Sequence, residues 1–192
     1  MTITTNGAVT GVIQADQAAW LASSVSGDVV PVLSFRDAGG IAVPISSFDG
    51  AGISGKFGLA ANMLIPANTL VAGQSRIRIS ATQRKVGAAN NFFQVHLGST
   101  NGTGDPAIAA SQVSTAGTTP VSSVMMADVS ISSDGTYCNY VHSRTNVGVT
   151  TGEGSVTSGI NVAVDNYINF VITGSAAGTT NSLLGYTVEV FR

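Results

Sequence analysis

From residue 75 onward the apolar positions recur every second residue, not every third or fourth. In Ser75–Thr82, Arg76, Arg78 and Ser80 fall on one face and Ile77, Ile79 and Ala81 on the other, which is the period of a half-buried strand. Phe92–Leu97 repeats the pattern, with Phe93, Val95 and Leu97 sharing a face. The clearest pair closes the chain. Ile168, Phe170 and Ile172 oppose Asn169, Val171 and Thr173, while Leu184, Tyr186, Val188 and Val190 oppose Gly185, Thr187 and Glu189. Further strands are predicted over Ile53–Leu59, Asn62–Ile65, Val121–Ser132, Thr136–Val147 and Ser155–Val162. Turn chemistry separates them, at Pro66-Ala67-Asn68-Thr69-Leu70, Gly87–Asn91, the polar loop Gly98–Pro106, Asp134-Gly135 and Gly174–Asn181. About eight strands in roughly 140 residues is the spacing of an all-β, antiparallel jelly-roll sandwich.

The residues ahead of Ile53 read differently. Val12–Val25 is the one segment with helical character, with Asp16 placed to cap it and Gly27 to end it. Trp20 in this segment either anchors on a partner or packs under its own domain. Two short extended pieces, Asp28–Arg36 and Ile41–Ser46, flank Asp37-Ala38-Gly39-Gly40, a hairpin signal. Pro31 and Pro44 lack a ladder donor, so these pieces belong at a sheet edge or in a strap. Phe48–Gly52 reads as a joint. The expected organisation is therefore an extended N-terminal attachment arm over residues 1–50 and a sandwich over 51–192. The apolar arm residues Trp20, Leu21, Val30, Val32, Phe35, Ile41 and Val43 are the candidates for contact with a partner.

Composition narrows the function. Charged residues make up 9% of the chain, against roughly 25% in an average domain. A surface of Ser, Thr, Asn and Gly is neutral and hydrogen-bonding, which suits a protein docked in an assembly; an extracellular-type β domain kept soluble by hydroxyls is the other reading. Net charge is −2 and the densest basic cluster is Gln83-Arg84-Lys85, so the electrostatic footprint of nucleic-acid binding is missing. The single cysteine, Cys138, excludes an intrachain disulfide. The start, Met1–Gly7, lacks the basic and apolar run of a signal peptide, and no stretch approaches the ~18 apolar residues of a membrane span. Synthesis in a reducing cytoplasm is expected, with no membrane partner.

Chemistry is sparse. Cys138 and His142 share a face of a predicted strand but stand about 13 Å apart along it, too far for a nucleophile–base pair. His96 could approach His142 across strands. No HExxH, CxxC, GxSxG or phosphate-loop pattern occurs. Asp37, Asp49, Asp105 and Asp134 all sit in turn contexts, where Asp bonds its own backbone. Oxygen ligands for calcium in Asn101–Asp105 are few. Asn101-Gly102-Thr103 matches a glycosylation sequon and, with no secretory signal, reads as a turn. No catalytic residue, cofactor or metal is expected, and the chain reads as a non-enzyme.

Ile65-Pro66-Ala67-Asn68-Thr69-Leu70, then Ser75-Arg76-Ile77-Arg78-Ile79, then the strand Asn91–Gly98 and the closing Leu184–Phe191, resemble jelly-roll proteins of tailed-bacteriophage virions. The resemblance covers roughly Ile53–Arg192. It implies a module that often trimerises behind an N-terminal attachment segment, without shared catalytic residues. The expected function is a virion structural protein, a trimeric capsid decoration (cement) protein or head fibre, whose arm docks on the major capsid protein or another virion protein. A tail-fibre module recognising host surface glycan is the alternative, with Gly98–Pro106 and Gly174–Asn181 as its surfaces; neither loop holds an aromatic residue.

Overall fold

The computed structural model describes residues 31–40, 42–49, 57–88, 91–113, 120–145, 149–156, 159–174 and 178–192. Among them the chain is all β. In order the strands are β1 (Pro31–Ala38), β2 (Ser46–Asp49), β3 (Phe57–Ile65), β4 (Arg76–Val86), β5 (Asn91–Gly98), β6 (Ala107–Val113), β7 (Val121–Ile131), β8 (Cys138–Thr145), β9 (Val149–Val156), β10 (Asn166–Gly174) and β11 (Thr180–Phe191). They form a 7-stranded sheet in the order β1-β11-β4-β7-β8-β9, with β2 also on β11, and a 4-stranded sheet in the order β3-β10-β5-β6. Every pairing is antiparallel. The chain passes repeatedly from one sheet to the other, which is the winding of a jelly roll.

The alternation read from the sequence sets which side of each strand is buried. Ile77, Ile79 and Ala81 of β4, Met125, Ala127 and Val129 of β7, and Val188 and Val190 of β11 turn inward from the larger sheet. They meet Phe93, Val95 and Leu97 of β5 and Ile168, Phe170 and Ile172 of β10. Phe170 is the hub, with its ring 5.8 Å from Phe93 and 5.1 Å from Tyr186. The inward row of β4 then turns polar. Gln83 and Lys85 continue the alternation and are buried. Gln83 Nε2 donates to Ser123 Oγ at 2.9 Å, and desolvation lowers the pKa of Lys85.

Two turns behave as their sequences predict. In Ile65–Leu70, Thr69 N donates to the Pro66 carbonyl at 3.1 Å and Asn68 takes φ 61°, a conformation Asn tolerates. Arg192 then locks this turn, donating to the Asn68 carbonyl at 2.7 Å and the Thr69 carbonyl at 2.9 Å. In Asp134-Gly135, the Asp134 carboxylate accepts from Ser132 Oγ at 2.6 Å and Thr136 N at 3.0 Å, while Gly135 takes φ 72°. These hydrogen bonds lower the Asp134 pKa.

Other expectations need correction. The expected break between Ile53–Leu59 and Asn62–Ile65 is absent: from Phe57 the chain runs on as one strand, β3, whose pairing with β10 absorbs an irregularity opposite Phe170/Val171 instead of a turn. β6 was not expected at all, because Ala107–Val113 is Ala-rich and carries little strand signal. The strand expected at Ser155–Val162 lies earlier, at β9. Asp37–Gly40 is not a hairpin. Asp37 Oδ1 accepts from Ala38 N at 2.8 Å, Gly40 N reaches the Val43 carbonyl at 2.7 Å, and Ile45 N reaches the Leu183 carbonyl at 2.9 Å. The chain thus leaves the edge of β11 and returns to the same edge, so β1 and β2 lie end to end. Pro31–Ala38 and Ser46–Asp49, expected in a separate arm, are strands of the larger sheet. The helix expected over 12–25 lies outside the described residues.

Phe170→Ala should destabilise the protein by about 3–5 kcal/mol, the cost of removing a buried phenyl ring. Urea denaturation measures this, and a loss below about 1 kcal/mol would show that the two sheets do not depend on this ring.

Candidate functional site

Of the arm residues proposed for partner contact, three are described. Val43 is 76% exposed in the excursion between β1 and β2, and Val32 faces outward on β1. Phe35 turns inward and packs on the sandwich's own core, so its ring serves the fold. Trp20, Leu21, Val30 and Ile41 lie outside the described residues.

The loop between β5 and β6 is fastened down onto the outer side of the smaller sheet. Asp105 holds it. Its carboxylate accepts from Thr100 N at 2.9 Å, and its carbonyl accepts from His96 Nδ1. The carboxylate rests against Gly98, where any Cβ would collide with it. Asn169 Nδ2 donates to the Thr100 carbonyl at 3.0 Å, Asn62 Nδ2 donates to Asn101 Oδ1, and Ser99 N donates to the Gly159 carbonyl at 2.7 Å. Asp105, weighed as a cation ligand, is thereby committed to closing the loop. Among the described residues, no group of three or more His, Cys, Asp or Glu is arranged to hold a metal ion.

His96, Asn169 and Val171 point away from the core yet are buried, while Leu59 and Leu64 of β3 on the same face stay exposed. Burial lowers the His96 pKa, partly offset by the carbonyl and charge of Asp105. His96 Nδ1 faces the Asp105 carbonyl and Nε2 lies 3.2 Å from Gln94 Oε1, so both ring nitrogens meet an acceptor. His142 belongs to β8 of the other sheet and stacks at 6.0 Å on Tyr140. The two histidines therefore do not meet across adjacent strands. Cys138, on the same strand as His142, is part of the core.

The outer face of the larger sheet is open. Arg76 pairs with Asp128 at 3.3 Å, Arg78 lies 4.0 Å from the same carboxylate, and Arg78 sits over the Phe191 ring at 5.4 Å. The three charged side chains are exposed, and such pairs contribute little stability. Beside them stand Ser80, Thr82 and Thr187, and two large apolar side chains, Met126 at 52% and Val141 at 54% exposure. Met126 and Val141 occupy successive outward rungs of the β7–β8 ladder, opposite Ser143 and Asp128. Sequence reading missed this patch. Its signal is the run Val124-Met125-Met126-Ala127, where an apolar residue occupies a position that alternation assigns to solvent.

No protein-family model and no curated protein match the chain. Solved structures do. Peanut lectin in complex with a 9mer peptide is similar at TM-score 0.43 and 9% identity, over 83% of this chain and 97% of that one. The CBM2 module of the evolved Dit of Lactobacillus casei BL23 phage J-1 is similar at TM-score 0.34 and 12% identity, over 83% and 91%. A chain of infectious bursal disease virus, Gx strain, is similar at TM-score 0.35 and 13% identity, over 83% and 32%. At these scores the likeness goes no further than the two-sheet sandwich, which the strand order establishes by itself.

Gly98→Ala should cost about 1–3 kcal/mol, as overpacking does, and should speed amide exchange in residues 99–105. Unchanged exchange would mean Asp105 does not hold the loop. For His96, the unfolded ring titrates near ~6.5 and the folded ring lower, so between those values the unfolded chain binds more protons. Stability is full above about pH 6.5 and falls as pH drops through that window. His96→Gln should flatten this acid slope in urea midpoints measured against pH; parallel curves for the two proteins would contradict it.

Proposed function

We propose that this chain is a virion structural protein of a tailed bacteriophage, a trimeric capsid decoration protein or head fibre. In this reading it has no catalytic role, and the N-terminal residues ahead of β1 dock on the major capsid protein or a neighbouring virion protein. The observation that carries it is the outer face of the larger sheet, where Met126 and Val141 stand exposed among hydroxyl side chains and the Arg76–Asp128 ion pair. A chain with 8 basic and 10 acidic residues in 192 has little charge to keep such a surface apart from others of its kind. A face of this composition suits subunit contact, and trimer formation would cover it. The likeness of Ile65–Ile79 and Leu184–Phe191 to phage jelly-roll modules supports the same reading.

Attachment then falls to residues 1–30, because Pro31–Ala38 and Ser46–Asp49 are strands of the larger sheet. Three arms on one trimer would add avidity to individually weak contacts.

A chain lacking residues 1–29 should keep the circular dichroism and the three-chain mass of the full protein in sedimentation, and lose binding to particles stripped of it. Particle binding at full occupancy would overturn the docking role of the arm. Met126→Asp should shift the full chain toward monomer, and an unchanged trimer mass would remove this face from the subunit contact.

A further inference from the structure

The outer face of the larger sheet dips where β1 gives way to β2. β1 ends at Ala38, opposite Gly185, and pairing resumes at Ser46, opposite Leu183. At the same level β11 shifts register against β4, between Leu183 and Gly185. Ala38, Gly185 and Thr82 stand side by side there and present little side chain, while the neighbouring outward rung carries Arg36, Thr187 and Ser80. Together they bound a surface cavity of about 180 Å³. Phe35 turns to the core, so alternation puts Arg36 on the outer face and Asp37 on the inner one, where its charge acts on Tyr186. Gly185 lies two strands from Met126 of β7.

The chemistry of this outer rung selects an occupant. Among the described residues the ion pairs join Arg76 and Arg78 to Asp128, and Arg36 takes part in neither. Glu189, the outward carboxylate of β11, stands one outward rung away between Ser34 and Arg78 and makes no ion pair with Arg36. The hydroxyls of Ser80, Thr82 and Thr187 make no hydrogen bond among the described residues. An unpaired guanidinium and three unengaged hydroxyls are donors that lack a fixed acceptor. They rise from three neighbouring strands, each about 5 Å from the next. A tetrahedral oxyanion, with oxygens in several directions, meets more of them than a planar carboxylate does, and the arginine fork suits it. Drug-sized sites begin near ~300 Å³, so the cavity takes a single group. Arg36 is the one cation among its lining residues, so it does not track a run of phosphates as a nucleic-acid site does. Gly185 keeps the space clear. A Cβ there would lie 3.4 Å from the Asp37 carbonyl oxygen, an ordinary contact, whereas a branched side chain would occupy the cavity.

We propose that this groove binds one tetrahedral oxyanion, a phosphate or sulfate group, held by the Arg36 guanidinium and the hydroxyls of Ser80, Thr82 and Thr187. The group reaches it as the free ion or as an ester on a larger molecule, which presents the same oxygens. The inference goes beyond virion attachment and does not depend on it, since every residue it uses belongs to three strands of the sandwich.

Amide NMR titration of the full chain with sodium phosphate and sodium sulfate at constant ionic strength tests it, with acetate as the planar comparator. Phosphate or sulfate should give saturable shifts clustered at residues 36–38, 80–82 and 185–187. Arg36→Gln should weaken that ion at least about tenfold, equivalent to about 1.4 kcal/mol. Arg76→Gln removes the same charge from the same face and, with exposed charges screened by salt, should change the affinity by less than about twofold. Thr82→Val, which keeps the shape and removes a hydroxyl, should weaken binding several-fold, and decides the matter if Arg36→Gln fails to fold. No clustered shifts with either ion, equal or tighter binding of acetate, an equal loss in Arg76→Gln, or unchanged affinity in folded Arg36→Gln or Thr82→Val would overturn the proposal. Glycerol 3-phosphate separates the sources. Binding as tight as that of inorganic phosphate supports an ester, and binding of the inorganic ion alone supports the free ion.

Discussion

β11 is hydrogen-bonded along both edges, to β4 on one side and to β1 and β2 on the other. The last strand of the chain therefore holds the first described strands to the middle of the sheet. Pro31 pairs with Phe191 and Arg76 pairs with the same residue. Val188 and Val190 of this strand also enter the core, so its arrival completes the larger sheet and buries its inner face together. Pairings this distant in sequence must close a large loop before they return any stabilisation, which makes such topologies slow to fold. The irregularity of β11 at Leu183/Gly185 is also where the edge pairing breaks, between Ala38 of β1 and Ser46 of β2.

The two outer faces of the sandwich are unlike each other. On the smaller sheet, His96 and Asn169 turn outward and are then covered as the β5–β6 loop folds back under the hold of Asp105. The buried polar groups there are spent on fixing a loop. On the larger sheet nothing comparable covers Ser80, Thr82 or Met126 among the described residues. The larger sheet leaves Met126 and Val141 exposed on its outer face, and the smaller sheet leaves Leu59 and Leu64 exposed on its edge strand β3.

Much of this was readable in advance because alternation is a local property. Ile77, Ile79 and Ala81 announced both a strand and its buried side, and Asp134-Gly135 announced its turn. What escaped was information carried by distant partners. Asp37-Ala38-Gly39-Gly40 has the residues of a hairpin, but whether the chain reverses or returns to the same edge depends on β11, about 150 residues away, where such pairings are not encoded locally. Residues 31–49 looked like an arm because Pro31 and Pro44 mark an edge, and an edge strand and a strap share that chemistry. Gln83 and Lys85 kept the period of β4 while breaking its polarity, so the buried polar end was hidden by residue type. Asp105 looked like an ordinary turn aspartate; only the fold shows it seated on Gly98.

Low charge links the fold to the proposed role. Most monomeric domains keep apart in solution through a densely charged surface. Here the outer face of the larger sheet is sparsely charged, and Arg76 and Arg78 share the one carboxylate of Asp128. Met126 and Val141 beside them add an attraction that water does not satisfy. The inner face of the same sheet, by contrast, can hide Gln83 by giving it Ser123 as a partner. An apolar side chain at the surface has no such internal remedy, and contact with another protein is the arrangement that removes it from water. The composition that leaves the body poorly shielded is therefore the one expected of a subunit that works while covered.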